Sequence, residues 1–418
     1  MDFIFPKSYK KLKKHLKDPL YKNSIYILLT MVISGLIGFL YWIIAAKYYS
    51  QDAVGINTAL ISSMNLIVLL SYLGLDQSII RFFPEGNKFN IFVTSIIIIV
   101  LSTLTLGIIF ILGIGIFSPN LVVVKDFAFP FLISLLAFSL TQPTAQTFIA
   151  LRKSQYYFYQ NIFLGLRLIL IFIPFLGKFG IFISFGVSAV IATIFSFYYI
   201  YKLDLEKPAK TKLLKIDWGY LKSSFKFSIG NYFLIILLTA PNYLLPIIVL
   251  NVLGSEQTAS YYISYNIASV LFFISAAFST SLFVEGSHGE SLKLNTIKTL
   301  KATFLVLIPL AVLLFYYGGL LLNLIGKSYL NGFELLRLIV ISSFFYSICM
   351  IFFSIRRIQK KMKDLIIASS LIFVLIIGLS YPLLLEYGIN GIGYAFIISY
   401  FASTVYILIR MRNIFQKS

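Results

Sequence analysis

The chain has 418 residues, 59% of them hydrophobic and only 12% charged, with a formal charge of +20. Soluble domains carry about 45–50% apolar and about 25% charged residues, so this chain has too little charge to cover a water-facing surface and enough apolar mass to face lipid. That excludes an ordinary soluble enzyme, and it makes the basic excess a question of membrane topology before one of nucleic acid.

In chain order, residues 1–23 are a basic N-terminal segment. Tyr9, Leu12, Leu16 and Leu20 recur at helical spacing between lysines. Two readings stand: a short amphipathic helix on an anionic cytoplasmic leaflet, or a solvated basic tail. The apolar run Ser24–Ala46 is too long for a signal h-region and lacks a following small-residue cleavage site, so it is expected to stay as the first span. Further apolar runs, each near the roughly 20 residues that cross a bilayer, lie at 55–75, 91–117, 127–149, 158–177, 180–201, 227–251, 258–283, 303–325, 334–355, 364–385 and 389–409. That makes twelve spans. The fifth and sixth are parted only by Gly177-Lys178-Phe179-Gly180.

With the N-terminus inside, 29 of the 35 Lys and Arg fall in cytoplasmic segments. Lys47, Lys125, Lys178 and Lys327 fall outside, and Arg167 and Arg337 lie within spans. This asymmetry predicts a multi-pass protein of the cell membrane with both termini in the cytoplasm. The basic excess is then topology, and no nucleic-acid partner is expected.

The halves resemble each other. Phe148…Arg152-Lys153…Gln155 closes the fourth span, and Phe352…Arg356-Arg357…Gln359 closes the tenth. Phe179-Gly180-Ile181 precedes the sixth span and Tyr387-Gly388-Ile389 the twelfth; Ser50-Gln51-Asp52-Ala53 follows the first and Ser255-Glu256-Gln257-Thr258 the seventh. Six spans is an even number, so the repeats enter from the same side and are parallel. The expected fold is all-α and polytopic: about twelve transmembrane helices in two parallel six-helix repeats around a central cavity. The expected divisions are the 1–23 segment, a 24–201 half, a basic cytoplasmic linker 202–226, a 227–409 half and a 410–418 tail.

Little here supports an enzyme. The predicted outer loops are short, the two histidines His15 and His288 are far apart, and no span carries a pair of acids. No metal-ligand cluster, P-loop or dinucleotide fingerprint is present, so neither a metal nor a cofactor is expected. The lone cysteine, Cys349, lies in an apolar run and permits no disulfide within the chain.

Candidate site residues are polar groups inside spans. Arg167 lies about ten positions into the fifth span, where an arginine costs about 2.5–3.5 kcal/mol on insertion scales. It is either an anion-binding group facing a wet cavity or a structural arginine satisfied by neighbouring polar groups. Gln160 is seven residues earlier, on the same predicted face. Gln142 belongs to the polar, proline-broken Thr141-Gln142-Pro143-Thr144, and Asn231 and Asn242 flank the middle of the seventh span. Such residues line cavities or pack helices. Glu334 and Arg337 are spaced for an ion pair on one helix face. All fifteen Asp and Glu lie in loops, tails or span edges, so no mid-span carboxylate offers itself for ion coupling.

Ala45-Ala46-Lys47-Tyr48-Tyr49-Ser50-Gln51-Asp52-Ala53-Val54-Gly55, followed by Gly74-Leu75-Asp76-Gln77-Ser78-Ile79-Ile80-Arg81-Phe82, resembles the start of the polysaccharide transporters. These are the Wzx-like lipid-linked oligosaccharide flippases of the multidrug/oligosaccharidyl-lipid/polysaccharide exporter superfamily. Ala259-Ser260-Tyr261-Tyr262 and Leu324-Ile325-Gly326-Lys327-Ser328-Tyr329 are similar too, although Ser260 stands where the family has glycine. The resemblance runs from Ile25 to Arg412. It implies translocation of a polyprenyl-(pyro)phosphate-linked oligosaccharide from the cytoplasmic to the outer leaflet by alternating access, for surface glycan assembly. Arg81 joins the candidate substrate contacts. The implied partners are the lipid-linked oligosaccharide, membrane lipids and glycan-assembly proteins. Two alternatives stay open: an ion-coupled multidrug exporter of the same superfamily, and a non-transporting scaffold of a glycan-assembly complex.

Overall fold

The computed structural model describes residues 19–84, 86–203, 205, 216–287 and 292–415. Residues 1–18 of the expected 1–23 basic segment, and residues 204 and 206–215 of the 202–226 segment, therefore lie outside the described residues, while 19–23 belong to the first helix. The rest is helical, with no strand among the described residues. The helices are α1 (Pro19–Tyr48), α2 (Gln51–Ser71), the short α3 (Leu75–Phe82), α4 (Lys88–Phe117), α5 (Ala128–Ala150), α6 (Ser154–Leu164), the single turn α7 (Arg167–Leu170) and α8 (Gly180–Lys202). They continue with α9 (Trp218–Leu253), α10 (Ser255–Ser287), α11 (Leu292–Ile325), α12 (Phe333–Ile358), α13 (Met362–Tyr387) and α14 (Asn390–Phe415). Three-residue-per-turn segments lead into α5 (Pro119–Phe127), α8 (Pro174–Phe179) and α12 (Lys327–Gly332).

Eleven helices among the described residues are long and apolar enough to cross a membrane. They are the expected spans, with one difference. The fifth span, 158–177, is not one helix. Gly165 and Leu166 keep right-handed angles, but the bonds tighten: Leu166 N–H reaches Phe163 O, and Leu168 N–H reaches Gly165 O. Gly165 leaves room for the Ile37 side chain of α1, whose Cδ1 a Cβ there would meet at 2.8 Å. The result is a helix jointed before Arg167, followed by Pro174, which cannot donate to the turn before it.

The chain divides into two compact units. The first holds the described residues to Tyr41, Ile67–Phe117 and Leu121–Tyr232; the second holds Trp42–Leu66, Ser118–Asn120 and Phe233 onward. In the first, α5 packs on α3, α4, α6 and α8. In the second, α12 packs on α10, α11, α13 and α14. Lipid supplies no hydrophobic drive between helices, so close packing and interhelical hydrogen bonds hold them. Gly186 of α8 lies so near α5 that a Cβ would meet Ser134 Oγ at 2.2 Å, and Thr193 Oγ1 donates to Ala137 O at 2.7 Å. In the second unit, Ser275 pairs with Ser347 at 2.6 Å and Ser279 with Ser354 at 2.7 Å. The expected Glu334–Arg337 pair forms at 3.5 Å. Its arginine also donates to Phe315 O and stacks on Phe315 and Phe333, so the exposed ion pair is the smaller part of its anchorage.

The repeat is written in the backbone, in a different register from the one that side-chain likeness suggests. Helices α5 and α12 end in the same motif. Lys153 N–H bonds Phe148 O around a left-handed Arg152 (φ 56°), and Lys361 N–H bonds Arg356 O around a left-handed Lys360 (φ 56°). Arg152 therefore corresponds to Lys360, one helical turn beyond Arg356, the residue its sequence context matches. Likewise Gly177 (φ 53°, ψ −150°) corresponds to Gly388 (φ 59°, ψ −146°), and Gly180, in the right-handed region, does not. Only glycine enters that region without strain, so conformation marks equivalence more sharply than the surrounding aromatic and aliphatic residues do.

Candidate functional site

Arg167 begins α7, immediately after the joint. Its guanidinium carbon lies 5.1 Å from the Tyr41 ring centroid and 5.0 Å from that of Phe185. Tyr41 is fully buried, and its hydroxyl donates to Ile181 O and lies 3.0 Å from Ser184 Oγ, which fixes the ring. Gly38 adds room: a Cβ there would stand 3.8 Å from an Arg167 nitrogen. Helices α1 and α8 thus each bring an aromatic ring to the guanidinium, with the two ring centroids 6.5 Å apart. Each cation–π contact is worth about 0.5–2 kcal/mol, enough for two to offset much of the cost of placing the charge at depth.

Gln160 is buried, but it turns to a different neighbour. Its amide nitrogen donates to Thr141 O at 2.8 Å and Thr144 Oγ1 at 3.0 Å of α5, across the Pro143 break. Its Oε1 has no hydrogen bond among the described residues. The joint at Gly165 changes the helical phase between Gln160 and Arg167, so the shared face expected of an unbroken helix is not kept. Gln142 is half-buried, and no hydrogen bond of its side chain is seen among the described residues. Arg81 is exposed at the end of α3. Asn231 lies in α9, and its side chain is outside the described set. Asn242 belongs to the second unit, where it accepts a 2.8 Å bond from Tyr265.

One ionisable group is not among the candidate site residues of the sequence. Asp76 lies outside the spans, yet it is only 6% exposed. Burial pushes its carboxyl above the usual carboxylate range, although bonds from Gln77 and nearby backbone pull the other way. No Lys or Arg among the described residues forms an ion pair with it. Close by, Asp217 caps α9 by accepting from Tyr220 N–H at 2.9 Å. Tyr220 Oη lies 3.1 Å from Ser95 Oγ. Burial first, and the charges of Asp76 and Asp217 after it, push the Tyr220 hydroxyl up to about 12. The same end of the first unit packs tightly: a Cβ on Gly74 (φ 75°) would meet Ser228 O at 2.4 Å, and Ser78 bonds Ser228 at 2.6 Å.

Within the second unit, the turn entering α2 docks on the turn entering α10. Gln51 Nε2 donates to Glu256 O at 3.1 Å and Ser260 Oγ at 2.6 Å, Ser255 donates to the Asp52 carboxylate, and Trp42 meets Tyr262 edge-on at 4.6 Å. Gly55 makes the approach possible, because a Cβ there would lie 1.8 Å from Ser255 O.

These features define a multi-pass helical membrane protein with buried polar groups in both units and no metal-ligand cluster among the described residues. No family model matches the sequence. A protein assigned as an O-antigen transporter of Shigella flexneri is 29% identical over 149 residues, 34% of this chain and 36% of that protein. The chain thus matches about a third of that relative's length. An uncharacterised membrane protein of Methanocaldococcus jannaschii is 24% identical over 94% of this chain and 98% of its own length. Among solved structures, the lipid II flippase MurJ in an inward closed conformation superposes with a TM-score of 0.76 at 17% identity, covering 93% of this chain and 87% of MurJ. An inward-facing multidrug resistance MATE family transporter of the MOP superfamily gives 0.73 at 13% identity, covering 95% and 99%. The chain shares its fold with these MATE and MurJ structures, and about a third of it resembles an O-antigen transporter in sequence.

Proposed function

We propose that this protein moves a polyprenyl-phosphate- or pyrophosphate-linked oligosaccharide from the cytoplasmic to the outer leaflet of the cell membrane by alternating access, with both termini in the cytoplasm. The observation that carries the reading is Arg167, a cation in a stretch expected to lie within the membrane, with the Tyr41 and Phe185 rings 5.1 Å and 5.0 Å from its guanidinium carbon. No described Asp or Glu lies in the middle of a span. A site built this way suits an anionic head group. Gln142 and the open Oε1 of Gln160 are proposed glycan contacts in the same unit, and Arg81 a proposed first contact for the anion; Asn231 keeps the same proposed role. The partial likeness to an O-antigen transporter and the fold shared with a lipid II flippase support the substrate class.

A second reading, export of organic cations, rests on Asp76, the one buried carboxylate among the described residues. Raised resistance to cationic dyes on expression, lost when the ion gradient is collapsed, would favour it.

The test is transport per folded molecule. Arg167→Lys keeps the charge and partial flipping, while Arg167→Gln lowers it about tenfold to hundredfold, as the loss of a charge-assisted hydrogen bond of roughly 1.5–3 kcal/mol implies. Unchanged flipping per molecule in the Gln variant, with less folded protein, would make Arg167 structural.

A further inference from the structure

The second unit contains a cavity of about 320 Å³ that the transport reading does not use. Its lining comes from α9, α10, α12, α13 and α14, and it carries no charged residue. Desolvating a phosphate or an organic cation there would go uncompensated, so ions are poor occupants.

Some of its polar groups are already bonded, Tyr265 to Asn242 and Ser269 to Asn266 O, and others are not. Asn242 accepts from Tyr265 through Oδ1, and its amide nitrogen has no hydrogen bond among the described residues. Tyr400, 8% exposed, and the largely buried Tyr346 also line the cavity, and neither hydroxyl has a hydrogen-bond partner among the described residues. Buried polar groups normally find partners, so these hydroxyls and amide are set for a ligand or for water. Pro241 adds an acceptor: it has no N–H, so the Leu237 carbonyl on the cavity wall lacks its usual helical donor. The remaining wall is aromatic. Phe272 lies 4.6 Å from Tyr346 and 6.2 Å from Tyr400, and Tyr346 meets Tyr400 edge-on at 5.3 Å.

We infer that this cavity binds one neutral sugar ring. Uncharged donors and acceptors set among aromatic side chains match a pyranose, which presents hydroxyls at its rim and C–H groups on its face. The volume sits at the small end of the roughly 300–1,000 Å³ of small-molecule sites, suited to a single ring and too small for a glycan chain. The inference rests on the lipid-linked glycan reading for the natural source of the ring, and on the cavity alone for its chemistry.

The experiment is saturation-transfer difference NMR on the full chain in nanodiscs, with methyl β-glucoside and methyl N-acetyl-β-glucosaminide as probes and farnesol as the lipid comparison. Saturation transfer is expected to the ring C–H protons of at least one glycoside. Tyr400→Phe, which keeps the ring and removes one hydroxyl, should weaken apparent affinity by about two- to tenfold, the worth of one neutral hydrogen bond. Cys349→Phe, which fills the cavity, should abolish the transfer. Transfer to farnesol alone, no transfer to either glycoside, or equal transfer in all variants would overturn the assignment. The probes carry neither lipid nor phosphate, so a protein that binds them but flips nothing refutes the transport reading alone. One that flips lipid-linked sugar without glycoside transfer refutes the cavity assignment alone.

Discussion

Gly55 gives the sharpest mechanical prediction. A Cβ on this residue would stand 1.8 Å from Ser255 O and 2.5 Å from Ser255 C. Both are backbone atoms, so no side chain can swing aside. Carbon atoms pack at about 3.5–4.0 Å, so Gly55→Ala must part the α2 and α10 turns by about 2 Å. Overpacking of this kind costs about 1–3 kcal/mol, partly offset by the roughly 0.5–1 kcal/mol that alanine gains over glycine in a helix. The docked arrangement should then lose up to about 60-fold in population relative to an undocked one, at tenfold per 1.4 kcal/mol. Gly35→Ala is the control, because nothing lies within 4 Å of its Cβ position. The assay is electron–electron distance measurement between spin labels at Lys47→Cys and Glu256→Cys in a Cys349→Ser background. Both labelled side chains are exposed, and Glu256 takes part in the docking through its carbonyl. Gly55→Ala should add a longer distance that Gly35→Ala does not. Identical distributions for the two would refute close backbone docking at this turn.

Two further predictions concern Asp76 and the orientation of the chain. The folded state holds the Asp76 proton more tightly than the unfolded chain does, so stability falls as pH rises from the ordinary carboxylate value of about 4 through the raised folded value. The groups that bear on it, besides its burial, are the Gln77 side chain and the backbone of Gln77 and Asp76. Asp76→Asn should flatten this slope and raise the melting temperature at pH 7; parallel pH profiles would show that the carboxyl is not held neutral. Reporter fusions after Lys212 and Lys361 should read cytoplasmic, and those after Ser255 and Gly326 outside; a cytoplasmic Ser255 fusion would break the twelve-crossing topology.

Much of the fold was legible because a span is a matter of length and hydropathy. Eleven spans follow from that alone. The fifth resisted because its joint is made of bonding, Phe163 to Leu166 and Gly165 to Leu168, around residues whose composition still reads as a helix. The repeat was legible, and its register was not. Phe-Ile-rich runs match at several offsets, whereas the left-handed Arg152 and Lys360 mark one. Arg167 stood out by depth, but its partners Tyr41 and Phe185 lie far away in sequence, among dozens of similar aromatics. Asp76 looked like a loop acid because burial between α3 and its neighbours is tertiary. The cavity in the second unit was hidden for the same reason: five helices contribute its lining, and a phenylalanine facing a cavity reads the same as one facing lipid.

The most direct test of the account is transbilayer movement in proteoliposomes. The purified full chain would be reconstituted with a polyprenyl-pyrophosphate-linked sugar placed in one leaflet, and the fraction that reaches the other read with a non-permeant sugar-oxidising reagent. The account predicts movement that depends on the protein and falls about tenfold or more in Arg167→Gln at equal folded protein. No movement of any polyprenyl-linked sugar, together with gradient-driven uptake of a cationic dye by the same vesicles, would contradict it.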